Sequence, residues 1–142
     1  PLDQEKQSIM GHSMGGLGAL NIAIRNPEIY KTVSAFAPIS NPTKGIWGQK
    51  QFEAYLGKET ENWKKYDPSI LLNEQGYKGK ILIDQGTKDD FLKNLMPEVL
   101  EKIFNNRNNG DQLRYQKDYD HSYFFVSSFL KDHVLWHKDN VK

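Results

Sequence analysis

The sequence predicts an α/β fold, in which a mostly parallel sheet carries helices on both faces. Short apolar runs alternate with helical patterns along the 142 residues, in the order strand, helix, strand, irregular segment, strand, helix, strand, helix. Strands separated by helices pair in parallel through right-handed crossovers, and these crossovers cover the sheet. The composition agrees with one globular domain, because 37% of the residues are hydrophobic and 26% are charged.

Four segments have strand patterns. Three are apolar runs rich in β-branched or aromatic residues, each closed by Gly or Pro within a few positions, which is typical of buried strands. The fourth alternates apolar and polar residues, which favours a strand with one wetter face near a sheet edge. In chain order the predicted strands are 7–10, 32–37, 80–84 and 113–117.

Three segments have helical patterns. Residues 17–25 are apolar nearly all round, as expected of a helix pressed between a sheet and other structure. Pro97 suits a first helical position, and the apolar residues after it share one face up to residue 104. Residues 122–137 form a long amphipathic pattern that places five side chains on one face: Val126, Phe129, Leu130, His133 and Val134.

Two segments do not follow the alternation. Residues 41–66 carry Trp47, Phe52, Tyr55 and Trp63 among Gly, Lys and Gln, which is too aromatic for disorder and too irregular for one helix. We expect an ordered excursion over the sheet edge there. Residues 105–110 are low in complexity and rich in turn formers, so we expect a solvated loop without chemistry.

Net charge and cysteine content exclude several classes of binding partner and of site. The 19 basic and 18 acidic residues leave a net charge of +1, so no global field attracts nucleic acid or anionic lipid. No apolar run reaches the length of a membrane helix. The chain has no cysteine, which excludes disulfides, thiolate nucleophiles and Cys-based zinc sites. We expect a cytoplasmic protein that binds neither nucleic acid nor membranes, and the start without Met resembles a cut.

A G-x-S-x-G motif, Gly-His-Ser-Met-Gly at 11–15, lies between the first predicted strand and the first predicted helix. Small neighbours allow a sharp strand-to-helix turn that lifts the Ser13 hydroxyl above the sheet. The helix N-terminus there favours developing negative charge, so the backbone N–H of Met14 is a candidate oxyanion donor. The alternative is a glycine-rich turn with an incidental serine, and the pentapeptide alone does not decide between them.

A serine nucleophile needs a histidine base and an acid that orients the histidine. His121 follows the last predicted strand, and Asp89 and Asp90 follow the strand before it. The carboxyl ends of parallel strands are where functional groups gather. The chain order serine, acid, histidine matches the α/β-hydrolase arrangement. Spacing does not separate Asp89 from Asp90, and either one alone is also explained as a solvated turn residue.

The remaining histidines are interpreted as structural. His12 occupies the variable position of the motif and is expected to pack. His133 and His137 are four apart on the last helix, but the Glu of an H-E-x-x-H site is absent, so we interpret both as helix-surface residues and expect no metal. Asp120 is expected to cap or orient the last helix beside Ser122.

Several long motifs together resemble the S-formylglutathione hydrolase, or esterase D, family. They lie in the same order as in the family, at 11–20, 34–42, 47–48, 55–57, 83–86 and 119–125. The resemblance runs nearly end to end but covers only the C-terminal half of the family. It implies that residues 1–142 are the C-terminal portion of a single α/β-hydrolase domain. It also implies hydrolysis of the thioester S-formylglutathione to formate and glutathione, as in formaldehyde detoxification, with simple carboxyl esters as side substrates, no cofactor and a homodimer.

The resemblance also implies roles for individual residues. Ser13 is the nucleophile and His121 the general base. Asp89 is the orienting acid, because the family places it three residues after the Gly of Asp-Gln-Gly and two before Phe-Leu. On this resemblance Asp89 is preferred over Asp90.

Trp47, Gly48 and Lys50 match a family segment near the mouth of the site, so they are candidate substrate-side residues. The family typically has a cysteine just before its Trp-Gly, which this chain lacks. In the family the second oxyanion donor and much of the pocket come from the N-terminal half. Two alternatives therefore stay open: a general short-chain carboxylesterase, and an inactive fragment that serves only as a binding or assembly module.

Overall fold

A computed structural model describes residues 3–142, which contain one four-stranded parallel sheet. The strands lie side by side in chain order, and the register pairs Phe36 with both His12 and Asp84. All four predicted strands are confirmed, each within a few residues of its predicted bounds. They are β1 (Gln7–His12), β2 (Tyr30–Phe36), β3 (Lys80–Gly86) and β4 (Gln112–Gln116).

Helices fill every connection between the strands. Asp67 caps α4 through the backbone N–H groups of Ser69 and Ile70, Pro97 begins α6, and Ser122 caps α7 through the N–H of Phe125. The three predicted helices are confirmed as α1, α6 and α7. The helices are α1 (Met14–Arg25), α2 (Ile46–Leu56), α3 (Thr60–Trp63), α4 (Pro68–Glu74), α5 (Leu92–Leu95), α6 (Pro97–Arg107) and α7 (Tyr123–Asn140), with a 3₁₀ turn at Lys64–Tyr66.

The excursion at 41–66 is ordered, as expected, and most of it is helical. It begins with α2, which ends where Gly57 adopts a positive φ of 79°. The short helix α3 and the 3₁₀ turn follow. The expectation of a solvated loop at 105–110 is partly wrong, because α6 continues to Arg107, whose guanidinium donates to Asp111 at 2.6 Å.

One face of the sheet is apolar and carries the main core. Alternate residues of β2 and β3 point into it, including Val33, Ala35, Ile81 and Ile83, all fully buried. Apolar side chains of α1, α4 and α6 cover them. Burial of such side chains is the dominant favourable contribution to folding, and here it fixes the helix that follows Ser13 against the sheet.

The opposite face of the sheet is largely polar, and α7 covers it. Thr32 and Ser34 of β2 and Asp84 of β3 are completely buried there. The expected apolar face of α7 is therefore partly wrong: Leu130 and Val134 are 42% and 51% exposed. The residues of α7 that are buried against the sheet are Phe125, His133 and His137.

Two further features complete the fold. In the part of the chain that the structure describes, β1 pairs on one side only, with β2. Met10 of β1 and Ile22 of α1 are 36% and 45% exposed. No helix among residues 3–142 has the length and apolar character needed to cross a membrane.

Candidate active site

Ser13 lies at a strained turn between β1 and α1. Its φ of 56° is unusual for a residue with a side chain, and its backbone N–H donates to the carbonyl of Phe36 at 2.8 Å. The turn depends on missing side chains: a Cβ on Gly11 would overlap the Gly15 carbonyl, and one on Gly16 would lie 2.9 Å from the Pro38 Cβ. Gly11 and Gly16 are thus needed for close packing around the serine, whereas a Cβ on Gly15 would meet nothing within 4 Å.

The structure brings Ser13, His121 and Asp89 into one hydrogen-bonded line. Nε2 of His121 lies 2.9 Å from the Ser13 Oγ, and Nδ1 lies 2.7 Å from Oδ2 of Asp89. Because a carboxylate only accepts, Nδ1 carries the proton and Nε2 is free to accept from the serine hydroxyl. Asp90 is exposed, whereas the Asp89 carboxylate is fully buried.

Two groups outside this line hold the Asp89 carboxylate in place. Gln85 Nε2 donates to Oδ2 of Asp89 at 3.0 Å, and the backbone N–H of Phe91 donates to Oδ1 at 2.9 Å. Burial alone would raise the pKa of Asp89, but the hydrogen bonds from His121, Phe91 and Gln85 outweigh it and hold the pKa below its usual range. Asp89 is therefore ionised at neutral pH. The sequence analysis gave Gln85 no role, although a polar residue directly after Asp84 at the carboxyl end of an apolar strand was a detectable signal.

The aromatic rings of two residues, His12 and Phe91, contact the His121 imidazole. The His12 ring lies 4.6 Å away, tilted by 40°, and the Phe91 ring lies 5.1 Å away, edge-on at 87°. Burial, together with the neighbouring His121, lowers the pKa of His12. His12 packs as expected, and Phe91 was not predicted. The two rings restrict the rotation of the histidine that faces Ser13.

Met14 is the first residue of α1, and the N–H groups of the first helical turn have no partners within the helix. Its predicted role as oxyanion donor stays a prediction. An apolar groove of about 260 Å³ runs from Met14 between α1 and α2. Its lining includes Leu17, Phe52, Tyr55 and Leu56.

The predicted substrate-side residues differ in their surroundings. The Trp47 ring lies 4.8 Å from Phe91 and so reaches the site through that ring. Gly48 is buried against Pro42, where a Cβ would not fit. Lys50 is exposed on α2. Their roles toward a substrate stay predictions. Of the three, Trp47 is the one that contacts a residue of the site, Phe91.

The segment after His121 anchors the histidine to α7. Asp120 Oδ1 accepts from both the backbone N–H, at 3.0 Å, and the hydroxyl of Ser122. Ser122 in turn caps α7. The expected orienting role of Asp120 is confirmed, and the position of His121 is set by where α7 begins.

The interpretation of His133 and His137 as surface residues is wrong. Both are buried, His133 completely, because the polar face of the sheet offers partners for their ring nitrogens. Nε2 of His133 lies 3.1 Å from Asp84, and His137 bonds the hydroxyls of Thr32 and Ser34. Within residues 3–142, no group of three or more His, Cys, Asp or Glu side chains could hold a metal ion.

A parallel sheet with a serine on the turn after one strand, and an acid and a histidine after two later strands, defines an α/β-hydrolase. The comparisons agree. A family model described as "Putative esterase" matches residues 1–136, so the chain belongs to this esterase family.

The chain is similar to S-formylglutathione hydrolase of Paracoccus denitrificans, with 53% identity over 99% of this chain and 50% of that protein. It also resembles a solved S-formylglutathione hydrolase structure from Agrobacterium tumefaciens, with 42% identity and a TM-score of 0.91 over 99% of this chain and 51% of that one. A fluorophosphonate-binding serine hydrolase of Staphylococcus aureus, 22% identical with a TM-score of 0.78 over 96% of this chain and 56% of that one, shares the fold. The chain thus spans about half the length of the two S-formylglutathione hydrolases.

Proposed function

We propose that this chain carries the catalytic residues of a serine hydrolase that cleaves the thioester S-formylglutathione to formate and glutathione. The observation that carries the proposal is the hydrogen-bonded line Ser13, His121, Asp89, with distances of 2.9 and 2.7 Å. The two S-formylglutathione hydrolases at 53% and 42% identity support the substrate. In this proposal residues 1–142 are the C-terminal portion of one α/β-hydrolase domain.

The first step is acylation of the serine. The Ser13 Oγ attacks the formyl carbon while its proton passes to Nε2 of His121. The carbonyl oxygen becomes an oxyanion, which the N–H of Met14 and the N-terminus of α1 stabilise. The carbon–sulfur bond then breaks, the glutathione sulfur leaves with the proton returned from His121, and a formyl ester remains on Ser13.

The second step is hydrolysis of that ester. His121 removes a proton from water, the hydroxide attacks the formyl carbon, and the Ser13 oxygen leaves with the proton from Nε2. Asp89 stays ionised and stabilises the imidazolium that forms in each step. These steps use only side chains and backbone groups of the protein and call for no cofactor.

The proposal is tested in a chimera, because this chain spans half of its relatives. The 141 residues of the Paracoccus denitrificans enzyme that match this chain are replaced by it, so that the remaining half supplies the rest of the sheet and pocket. We expect hydrolysis of S-formylglutathione and its loss in Ser13→Ala. Turnover that persists in Ser13→Ala, or a folded chimera with no turnover, contradicts the proposal.

A second candidate is a general short-chain carboxylesterase. The apolar groove beside Met14 favours it, because a formyl group needs no apolar space whereas longer acyl chains do. The kcat/KM values of the chimera for S-formylglutathione and for carboxyl esters of increasing acyl length separate the two. A preference that grows with acyl length supports the carboxylesterase.

We further propose a cytoplasmic location and a homodimer. Glutathione is the thiol that keeps the cytosol reducing, so a substrate made from it is found there. The dimer rests on the family resemblance alone. Sedimentation of the chimera at several concentrations measures it, and a monomer at all of them contradicts it.

A further inference from the structure

The helix α7 contacts the sheet through hydrogen bonds as well as through apolar packing of Phe125 against Phe36. Its side chains at three positions, spaced four and three residues apart, bond sheet residues: His133 bonds Asp84, His137 bonds Thr32 and Ser34, and Asn140 accepts from Lys80. Apolar packing is non-directional, whereas hydrogen bonds require specific distances and angles. A shift of α7 along or around its axis would break all of these bonds, so they fix its register on the sheet.

His133 contacts two strands of the sheet, β2 and β3. Its Nε2 donates to Oδ2 of Asp84, whose two oxygens also accept from Arg114 at 2.6 and 2.7 Å. Its ring stacks on Phe36 with centroids 3.8 Å apart and an angle of 18°. Burial alone would raise the pKa of Asp84, but the hydrogen bonds from His133 and Arg114 outweigh it and hold the pKa low. His133 thus bridges β2, β3 and α7.

Each of these three elements leads directly to one residue of the candidate triad. The Phe36 carbonyl accepts from the N–H of Ser13, and Asp84 precedes Gln85, which donates to Asp89. The helix that carries His133 begins just after His121, about 18 Å away at 1.5 Å per residue. The buried His133 imidazole therefore contacts Phe36 and Asp84, which lead to Ser13 and Asp89, and it lies on the helix that follows His121.

We propose that His133 is a positioning residue of this site: its bond to Asp84 and its stacking on Phe36 set the distance between His121 and both Ser13 and Asp89. This inference rests on the proposed function for its catalytic meaning. The geometry that it describes is measured without any substrate.

His137 is the matched control for His133. Both are buried histidines of α7, one turn apart, and both bond the sheet. His137 contacts Thr32 and Ser34, which touch none of the three triad residues through the bonds described. A merely structural role predicts similar behaviour when either histidine is replaced. A positioning role predicts that only His133 variants alter the site.

The experiment uses NMR of the chimera described above, with 15N-labelled histidine. The proton between His121 Nδ1 and Asp89 gives a low-field signal, which is assigned by its loss in Asp89→Asn. We expect the signal to disappear or broaden in His133→Leu and to remain in His133→Gln, since Gln places an N–H donor at a similar distance from the backbone. The signal should also remain in His137→Leu, even where this substitution lowers the melting temperature by as much as His133→Leu does. His133→Asn, which is too short to reach Asp84, provides a milder variant if His133→Leu does not fold.

A second readout is the rate at which a fluorophosphonate probe labels Ser13. We expect His133→Leu or His133→Asn to lower this rate about tenfold or more, because small misplacements of reacting groups have large effects, and His133→Gln to restore most of it. A normal signal and rate in folded His133→Leu or His133→Asn overturns the inference, as do equal losses in His137→Leu. The signal is independent of substrate, so failure of the chimera to cleave S-formylglutathione overturns only the proposed function.

Discussion

The carboxylate of Asp89 and the imidazole of His121 are joined by a 2.7 Å hydrogen bond, formed between Oδ2 and Nδ1. The bond fixes the tautomer of His121, because Nδ1 must carry the proton and Nε2 must present its lone pair to Ser13. The acid and the base come from loops after different strands, β3 and β4. Their contact therefore depends on the parallel register of these strands.

Asp89→Asn tests that relationship. The amide can donate to Nδ1 and so favour the wrong tautomer, in which Nε2 carries the proton and cannot accept from Ser13. We expect kcat of the chimera to fall by about 10⁴-fold with little change in KM. The control is Asp90→Asn at the exposed neighbouring carboxylate, which should leave kcat within about twofold. Equal losses in the two variants would show that the site does not depend on the Asp89 bond.

Phe91→Ala tests the ring that contacts His121. The substitution removes the edge-on ring and its contact with Trp47 but keeps the backbone N–H that donates to Asp89. We expect about a tenfold loss of kcat, since His121 gains freedom to rotate. Tyr115→Ala, at an aromatic residue of β4 that is 43% exposed, is the matched control and should have little effect on kcat. Unchanged kcat in Phe91→Ala would refute a role for this ring.

The sheet and the candidate triad could be predicted because their signals are local. Three strands are short apolar runs and the fourth alternates apolar and polar residues. The turn motif and the order of Ser13, acid and His121 depend on residues close to strand ends. Asp89 and Asp90 could not be separated by spacing, because both lie in one turn. Only the structure shows the buried Asp89 accepting from Gln85 and Phe91.

The residues whose burial was predicted wrongly have partners that are far away in the sequence. His133 and His137 follow a helical spacing that is equally compatible with exposure. Their burial depends on the polar face of the sheet, and the partner of His137, Ser34, is 103 positions away. The helix α2 was missed because it has few buried residues, Gly48 and Phe52, and so shows no clear apolar face in the sequence.

The pair Gly11→Ala and Gly18→Ala tests the packing of the serine turn. A Cβ on Gly11 would overlap the carbonyl of Gly15, so we expect the free energy of unfolding to fall by about 1–3 kcal/mol or more. A Cβ on Gly18, inside α1, has nothing within 4 Å and should raise the free energy of unfolding by up to about 1 kcal/mol. Urea denaturation of both variants measures these changes. A stabilised Gly11→Ala would show that the turn tolerates a side chain.

We expect the buried His137 to make the protein less stable in mild acid. Burial, with a smaller effect of His133, lowers its pKa from 6.5 to about 4, and as a neutral ring it bonds Thr32 and Ser34. Between these two values the unfolded chain binds a proton that the folded chain does not, so the free energy of unfolding falls as pH decreases. At pH 5 the His137 contribution should be about 2 kcal/mol less favourable than at pH 7.

The measurement is urea denaturation of the chain and of His137→Gln at both pH values. The variant has no titrating group at this position, so its stability should depend less on pH by about that 2 kcal/mol, even if it is less stable at pH 7. His12, whose pKa is also lowered, contributes in the same direction in both proteins and cancels in the difference. Parallel pH dependences in the two proteins would mean that His137 binds its proton equally well in the folded and unfolded states.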